Sequence, residues 1–231
     1  MKYCFKNDEI DNYHSDFFLK SNFFFDFEDD FVRETIKNIV GNSSNKKEKA
    51  KKIFYFVRDE IKYTMFAGIF TEKDYRSSAV LRRGKGFCVQ KAILLVSLLR
   101  GAGIPAAIGF ADIKNHALSE DTKKILGSDV FPYHGFAFVN LGRWLKVTPT
   151  FDVDTCEKAG YPLIEFDGER DAVFPQYMEN GKRFVTYLRY RGVCFKPPVD
   201  DMIKEWKKVY GKGNLKNLVL NFKKGDFNEW Q

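Results

Sequence analysis

The run from Cys88 to about Arg100, CVQKAILLVSLLR, limits the fold of this chain more than any other stretch. Its length and composition suit a helix that stops at Gly101. Only Gln90, Lys91, Ser97 and Arg100 interrupt its apolar surface, so it has no polar face to turn toward water. A helix that is apolar all round belongs in the middle of a domain, and the other elements must wrap it. The low-charge region continues to Ala111, with Arg100 its single charge from Ala92 onward, a length compatible with a membrane span. Gly101, Gly103 and Pro105 break it, which predicts two short buried elements and no span. At 231 residues, 44% of them hydrophobic and 24 of them phenylalanine, the chain can build one large domain with an aromatic core around that helix.

The flanking patterns indicate what does the wrapping. DDFVRETIKNIVG reads as a helix with Asp29 or Asp30 as N-cap and Gly41 just past its end. In NKKEKAKKIFYFVRDEIKYT, Asn45 and Glu48 have capping-box spacing, and Ala50, Ile53, Phe54, Val57 and Ile61 form one apolar stripe. A long connection, MFAGIFTEKDYRSSAVLRRGKG, carries a short helix near Ser78 to Arg83. Beyond the apolar helix the period changes: AAIGFAD, GFAFVN and RWLKVTP read as strands, the last two joined by a tight turn at Leu141-Gly142. FVTYLRYRG alternates as a fourth strand. VDDMIKEWKKVYG returns to helix, capped by Asp200 or Asp201, with Met202, Ile203, Trp206 and Val209 facing inward. Helices, then strands, then a terminal helix predict an α+β fold in which an antiparallel sheet packs on helices.

Charge and cysteine usage narrow the function classes. Residues 1–30 hold three Lys against eight acidic residues, and residues 182–231 hold twelve Lys/Arg against five, within a net charge of +7. No RNP-like, zinc-finger or helix-turn-helix pattern accompanies the basic end, so it reads as a solvated helix face, and nucleic acid is not an expected partner. The four cysteines, Cys4, Cys88, Cys156 and Cys194, show no C-x-x-C pair and no dense spacing, which predicts reduced thiols. The stretch MKYCFKNDEIDNYH lacks the apolar segment of a signal peptide, so a cytoplasmic location is expected. No H-E-x-x-H, Cys/His cluster, P-loop or dinucleotide fingerprint is present; neither a metal nor a cofactor is expected.

One cysteine stands apart. Cys88 opens the apolar helix immediately after Gly84-Lys-Gly-Phe87. A thiol there faces unpaired backbone N–H groups and the positive end of the helix dipole, both of which favour thiolate. The neighbouring glycines allow close backbone approach, and Arg82, Arg83 and Lys85 add positive charge. That is a setting for a nucleophile. Its base must be His14, His116 or His134. His14 lies in an acidic, aromatic segment and His116 just beyond a strand. His134 begins the strand hairpin HGFAFVNLGRWLKVTP, and a strand holds a side chain more firmly than a loop, which favours it as the base.

Taken together, GKGFCVQKAILLVSLLRGAGIPA, YHGFAFVNLGRW and VTPT resemble the transglutaminase-like superfamily of papain-like cysteine enzymes, over roughly Ile53 to Asp154. FADIKNH and TPTFD further resemble a bacterial branch of uncharacterised proteins of that group. The resemblance implies a papain-like α+β fold, with a core at about 50–155 inside one domain spanning 1–231. An N-terminal helical segment and a C-terminal strand–helix extension complete that domain. It also implies Cys88 as nucleophile and His134 as base in acyl chemistry on a peptide or protein amide, the acyl group passing to water or to an amine. One position departs from the pattern: Thr148 stands four residues after Trp144, where the superfamily places an Asp. Threonine can orient an imidazole but cannot stabilise its cation by charge. Asp152 is the alternative partner for His134 if the strand end curls back. Gln90 and Tyr75 are side-chain candidates for completing an oxyanion hole begun by the Cys88 N–H. The loss of the Asp also supports a second reading, a binding module of the same fold that has lost efficient chemistry.

Overall fold

The computed structural model describes residues 4–65, 67 and 71–224, the side chains of 212–224 excepted. The connection after Met65 therefore lies partly outside the described residues, as do the side chains of the basic residues beyond Gly211. In chain order the elements are β1 (Cys4–Phe5), α1 (Asp30–Val40), α2 (Lys46–Asp59), β2 (Lys62–Tyr63), α3 (Ser77–Arg83), β3 (Lys85–Gly86) and α4 (Cys88–Gly101). They continue with β4 (Ala106–Asn115), α5 (Glu120–Leu126), β5 (Val130–Asn140), β6 (Trp144–Val147), α6 (Val153–Ala159), β7 (Val185–Cys194) and α7 (Val199–Lys224).

The sheet order is β1-β7-β4-β5-β6, antiparallel throughout, and the fold is α+β. Helix α4 contacts β4 and β5 as well as α1, α2 and α3. Every residue from Val89 to Arg100 is buried, as an all-apolar helix requires. Its buried lysine is satisfied from within: Lys91 Nζ donates to the carbonyls of Arg58 (2.9 Å) and Ile61 (2.6 Å) at the end of α2. Helices α1 and α2 start at Asp29 and Asn45, whose side chains accept from backbone N–H groups of the first turn. The predicted stripe of α2 is buried throughout.

Helices α5 and α6, of seven residues each, were not evident in the hydrophobic pattern. Ser119 and Asp152 cap them, and a left-handed glycine ends each. Helix α7 changes direction at Gly211, whose φ of 74° is not helical.

The expectation of four reduced thiols is corrected. Cys4 and Cys194 form a disulfide, because the two-residue strand β1 pairs with the end of β7 in a register that sets them opposite each other. The sequence separation of 190 residues hid a pairing that only the sheet creates. Cys88 and Cys156 are free. Among the described residues, no helix is long and apolar enough to cross a membrane.

Candidate active site

Two local features bring the start of α4 to the sheet. Strand β3 pairs in parallel with β2, which fixes the chain just ahead of Cys88 and holds Tyr63 beside it. On the other side Gly135 of β5 presses against α4: a Cβ there would stand 2.7 Å from Val89 Cα, so no larger residue fits. This approach lets the Gly135 N–H reach the Cys88 sulfur, adding to the N–H groups of Val89 and of Cys88 itself.

These donors lose to desolvation. Although part of Cys88 is open to a cavity, burial among apolar groups pushes its thiol up to about 11. The helix start alone predicted a shift in the opposite direction. The same burial pushes His134 down to about 3. At neutral pH these shifts leave Cys88 a neutral thiol and His134 a neutral imidazole.

His134 is 2% exposed and packs on Phe174, with ring centroids 5.1 Å apart. Its Nε2 shares a hydrogen bond of 3.2 Å with Thr148 Oγ1, which in turn bonds Thr150 Oγ1 at 3.0 Å. Nδ1 is the remaining ring nitrogen. Cys88 and His134 line the same two adjoining cavities. Asp152 turns elsewhere: its carboxylate accepts from the N–H of Tyr63 (2.6 Å), the N–H of Thr155 (3.0 Å) and the Thr155 hydroxyl (3.1 Å). The chain does curl at this point, but into the cap of α6.

The other sequence candidates fall outside this arrangement. His116 shares a 2.9 Å hydrogen bond with Thr186 on β7, and His14 is exposed beside Asp16. Gln90 is buried and structural: Oε1 accepts from the Phe87 N–H, while Nε2 donates to the carbonyls of Ala67 and Asp74. The Tyr75 hydroxyl is buried with no hydrogen-bond partner among the described residues. The Tyr75 ring meets Phe87, the residue before Cys88, edge-on at 6.1 Å.

A further set of residues had no signal that hydrophobic periodicity could read. Tyr133, immediately before His134, has φ +60°, the one non-glycine residue described with a left-handed backbone. Its N–H donates to Asp112 (3.1 Å), and its ring lies under Arg191 at 4.0 Å. Asp112 also binds both Arg189 and Arg191. The register of β4 slips around Asp112 against both neighbouring strands, which aims its carboxylate at Tyr133. A conformation costing about 1–3 kcal/mol is thus held by a charged clamp, and it sets the direction in which the chain enters His134. The one sequence hint is the pair of arginines at alternate positions in YLRYRG.

The profile of the transglutaminase-like superfamily matches residues 33–149, half of the chain. No curated protein matches it. Among solved structures, a candidate cysteine protease from Cytophaga hutchinsonii is similar at 16% identity and a TM-score of 0.45, covering 63% of this chain and 45% of its own. A candidate protease from Parabacteroides distasonis is similar at 18% identity and a TM-score of 0.36, covering 57% of this chain and 24% of its own. The chain therefore spans less than half the length of either.

Proposed function

Since the chain belongs to the transglutaminase-like superfamily, we propose that it is a thiol-dependent enzyme acting on amides, a hydrolase or acyltransferase with Cys88 as nucleophile and His134 as base. The observation that carries this reading is the shared cavity wall: a free thiol at the first turn of a buried helix and an imidazole whose far nitrogen is already engaged by Thr148.

In this reading His134 Nδ1 takes the Sγ proton as sulfur adds to the substrate carbonyl carbon. The C–N bond then breaks and the leaving amine takes the proton from His134. Water, or an acceptor amine, gives its proton to His134 as it attacks the thioester, and Cys88 recovers a proton as it leaves. The Cys88 N–H is one donor to the developing oxyanion. For Nδ1 to accept, Nε2 must carry the proton and donate to Thr148, whose own hydroxyl then donates to Thr150. Thr148 is thus a positioning residue whose hydroxyl holds the ring and can accept from this tautomer. Asp152 supports the site from a distance, by holding Tyr63 and α6.

The neutral resting pair and the threonine in place of an Asp favour a second reading, in which the same cavity binds an acyl ligand with little turnover. Labelling with an electrophilic thiol probe separates the two. The enzyme reading expects Cys88 to label well ahead of Cys156, with the rate lost in Cys88→Ala and strongly reduced in His134→Ala. Equal labelling of Cys88 and Cys156, indifferent to His134, would favour the binding module.

A further inference from the structure

The cavity at Cys88 has two lobes that share Tyr63, Met65, Cys88, Phe131 and His134. One lobe encloses about 600 Å³, part of it open to solvent, and is completed by Phe87, Leu126, Tyr133, Trp206 and Tyr210. The other encloses about 540 Å³ on the same basis and is completed by residues including Asn115, Phe151, Tyr161 and Phe174. Among the described residues, neither lobe is lined by an Asp, Glu, Lys or Arg.

The outer walls come from beyond residues 33–149, the segment that matches the superfamily. Trp206 and Tyr210 reach the first lobe from α7, and Phe151, Tyr161 and Phe174 reach the second. The α7 wall is fixed in place. Trp206 Nε1 donates to the Pro132 carbonyl at 2.8 Å, two residues before His134. Its ring meets Phe87 edge-on at 5.7 Å, and Tyr210 meets Phe131 at 6.3 Å.

Both lobes reach Cys88 and His134, but Phe87, adjacent to the sulfur in the chain, lines the first and not the second. The acyl group is the part of the substrate that bonds to that sulfur.

We propose that the substrate is an amide whose acyl part carries a bulky, uncharged aromatic or aliphatic side chain, seated between Trp206, Tyr210 and Phe87. This rests on the thiol-enzyme reading above. The physical ground is desolvation: an apolar ring gains by leaving water for this lobe, whereas a charged side chain would lose its hydration with no counter-charge to meet it. Trp206 and Tyr210, outside the segment that matches the superfamily, then contribute to specificity together with Phe87 inside it.

Peptidyl acyloxymethyl ketones test this. In labelling, sulfur displaces the carboxylate from the ketone's methylene carbon, and the thiol proton leaves through His134. Probes that differ only in the residue next to the ketone (Phe, Leu, Ala, Glu or Lys) are timed on the whole protein by mass spectrometry at Cys88. The expected order places Phe and Leu about tenfold or more above Ala, and about a hundredfold above Glu and Lys. Tyr210→Ala should narrow the Phe-to-Ala ratio, while Tyr161→Ala, in the other lobe, should leave it unchanged. If either variant unfolds, the ranking in the unmodified protein decides alone. Glu or Lys probes that match Phe would overturn the substrate class and leave the thiol chemistry standing. No labelling of Cys88 by any probe would overturn the thiol-enzyme reading, and this inference with it.

Discussion

Replacing Thr148 with Asp converts a neutral partner of His134 into an anion without moving the backbone. Thr148 is fully buried and its hydroxyl lies 3.2 Å from Nε2. Two unit charges about 4 Å apart at an effective dielectric near 20 attract by about 4 kcal/mol. At about 1.4 kcal/mol per pK unit this is worth about 3 units. His134, held at about 3 by burial, should therefore rise toward about 6. Each unit multiplies the thiolate–imidazolium fraction about tenfold while that fraction is small. The upper bound on the gain is thus about 10³, reduced by the cost of burying the new carboxylate. Thr150, 3.0 Å from Thr148 Oγ1, can donate to it and offset part of that cost. The assay is the rate of Cys88 alkylation against pH in both proteins, with His134 protonation followed by NMR. Thr148→Asp should react faster near neutral pH, and the gain should disappear in the Thr148→Asp/His134→Ala double variant. A folded Thr148→Asp protein with an unchanged profile would refute the argument, since His134 would then not be exchanging a proton with Cys88.

Three further outcomes follow from buried charge and from the disulfide. Burial holds Lys91 down at about 7, against 10.5 for a lysine in water. The unfolded chain therefore binds more protons between those values, and stability should rise with pH from about 7 to about 10, by up to about 5 kcal/mol. Lys91→Met should remove that slope from denaturant titrations, and an unaltered slope would contradict the assignment. Reducing the Cys4–Cys194 disulfide, or Cys194→Ser, should lower unfolding stability by about 2–5 kcal/mol, because it frees a long loop; chemical denaturation with and without reductant measures it. Asp112→Asn should cost about 3 kcal/mol by breaking a largely buried ion-pair cluster. It should also slow Cys88 labelling by releasing Tyr133 and with it the approach to His134, and loss of stability with no change in labelling would exclude the positioning role.

Periodicity alone placed α1, α2, α4 and the inner strands, because each is long enough for a buried face to repeat. The cap Asn45 was legible, and Asp29 was one of two candidates with Asp30, for a related reason: a short polar side chain before an apolar run has one common use. The thiol at the start of a largely apolar helix was equally plain, but its pairing with His134 in acyl chemistry came from the resemblance to a family and not from the pattern of residues. The choice between Thr148 and Asp152 was not legible, since it depends on where the chain goes after β6. In the structure that chain curls into α6, which takes the Asp152 carboxylate and leaves Thr148 on the imidazole.

The amino-acid sequence by itself determined that a buried helix begins with a cysteine and that a sheet must pack on it, because hydrophobic pattern acts locally along the chain. Only the tertiary structure decided the rest. It pairs Cys4 with Cys194, bends Tyr133 under Arg191 and brings Trp206 to the cavity. It also reverses the expected shift of the Cys88 thiol, because desolvation depends on everything packed around the sulfur, whereas the pull of the helix terminus depends only on the turn that follows it.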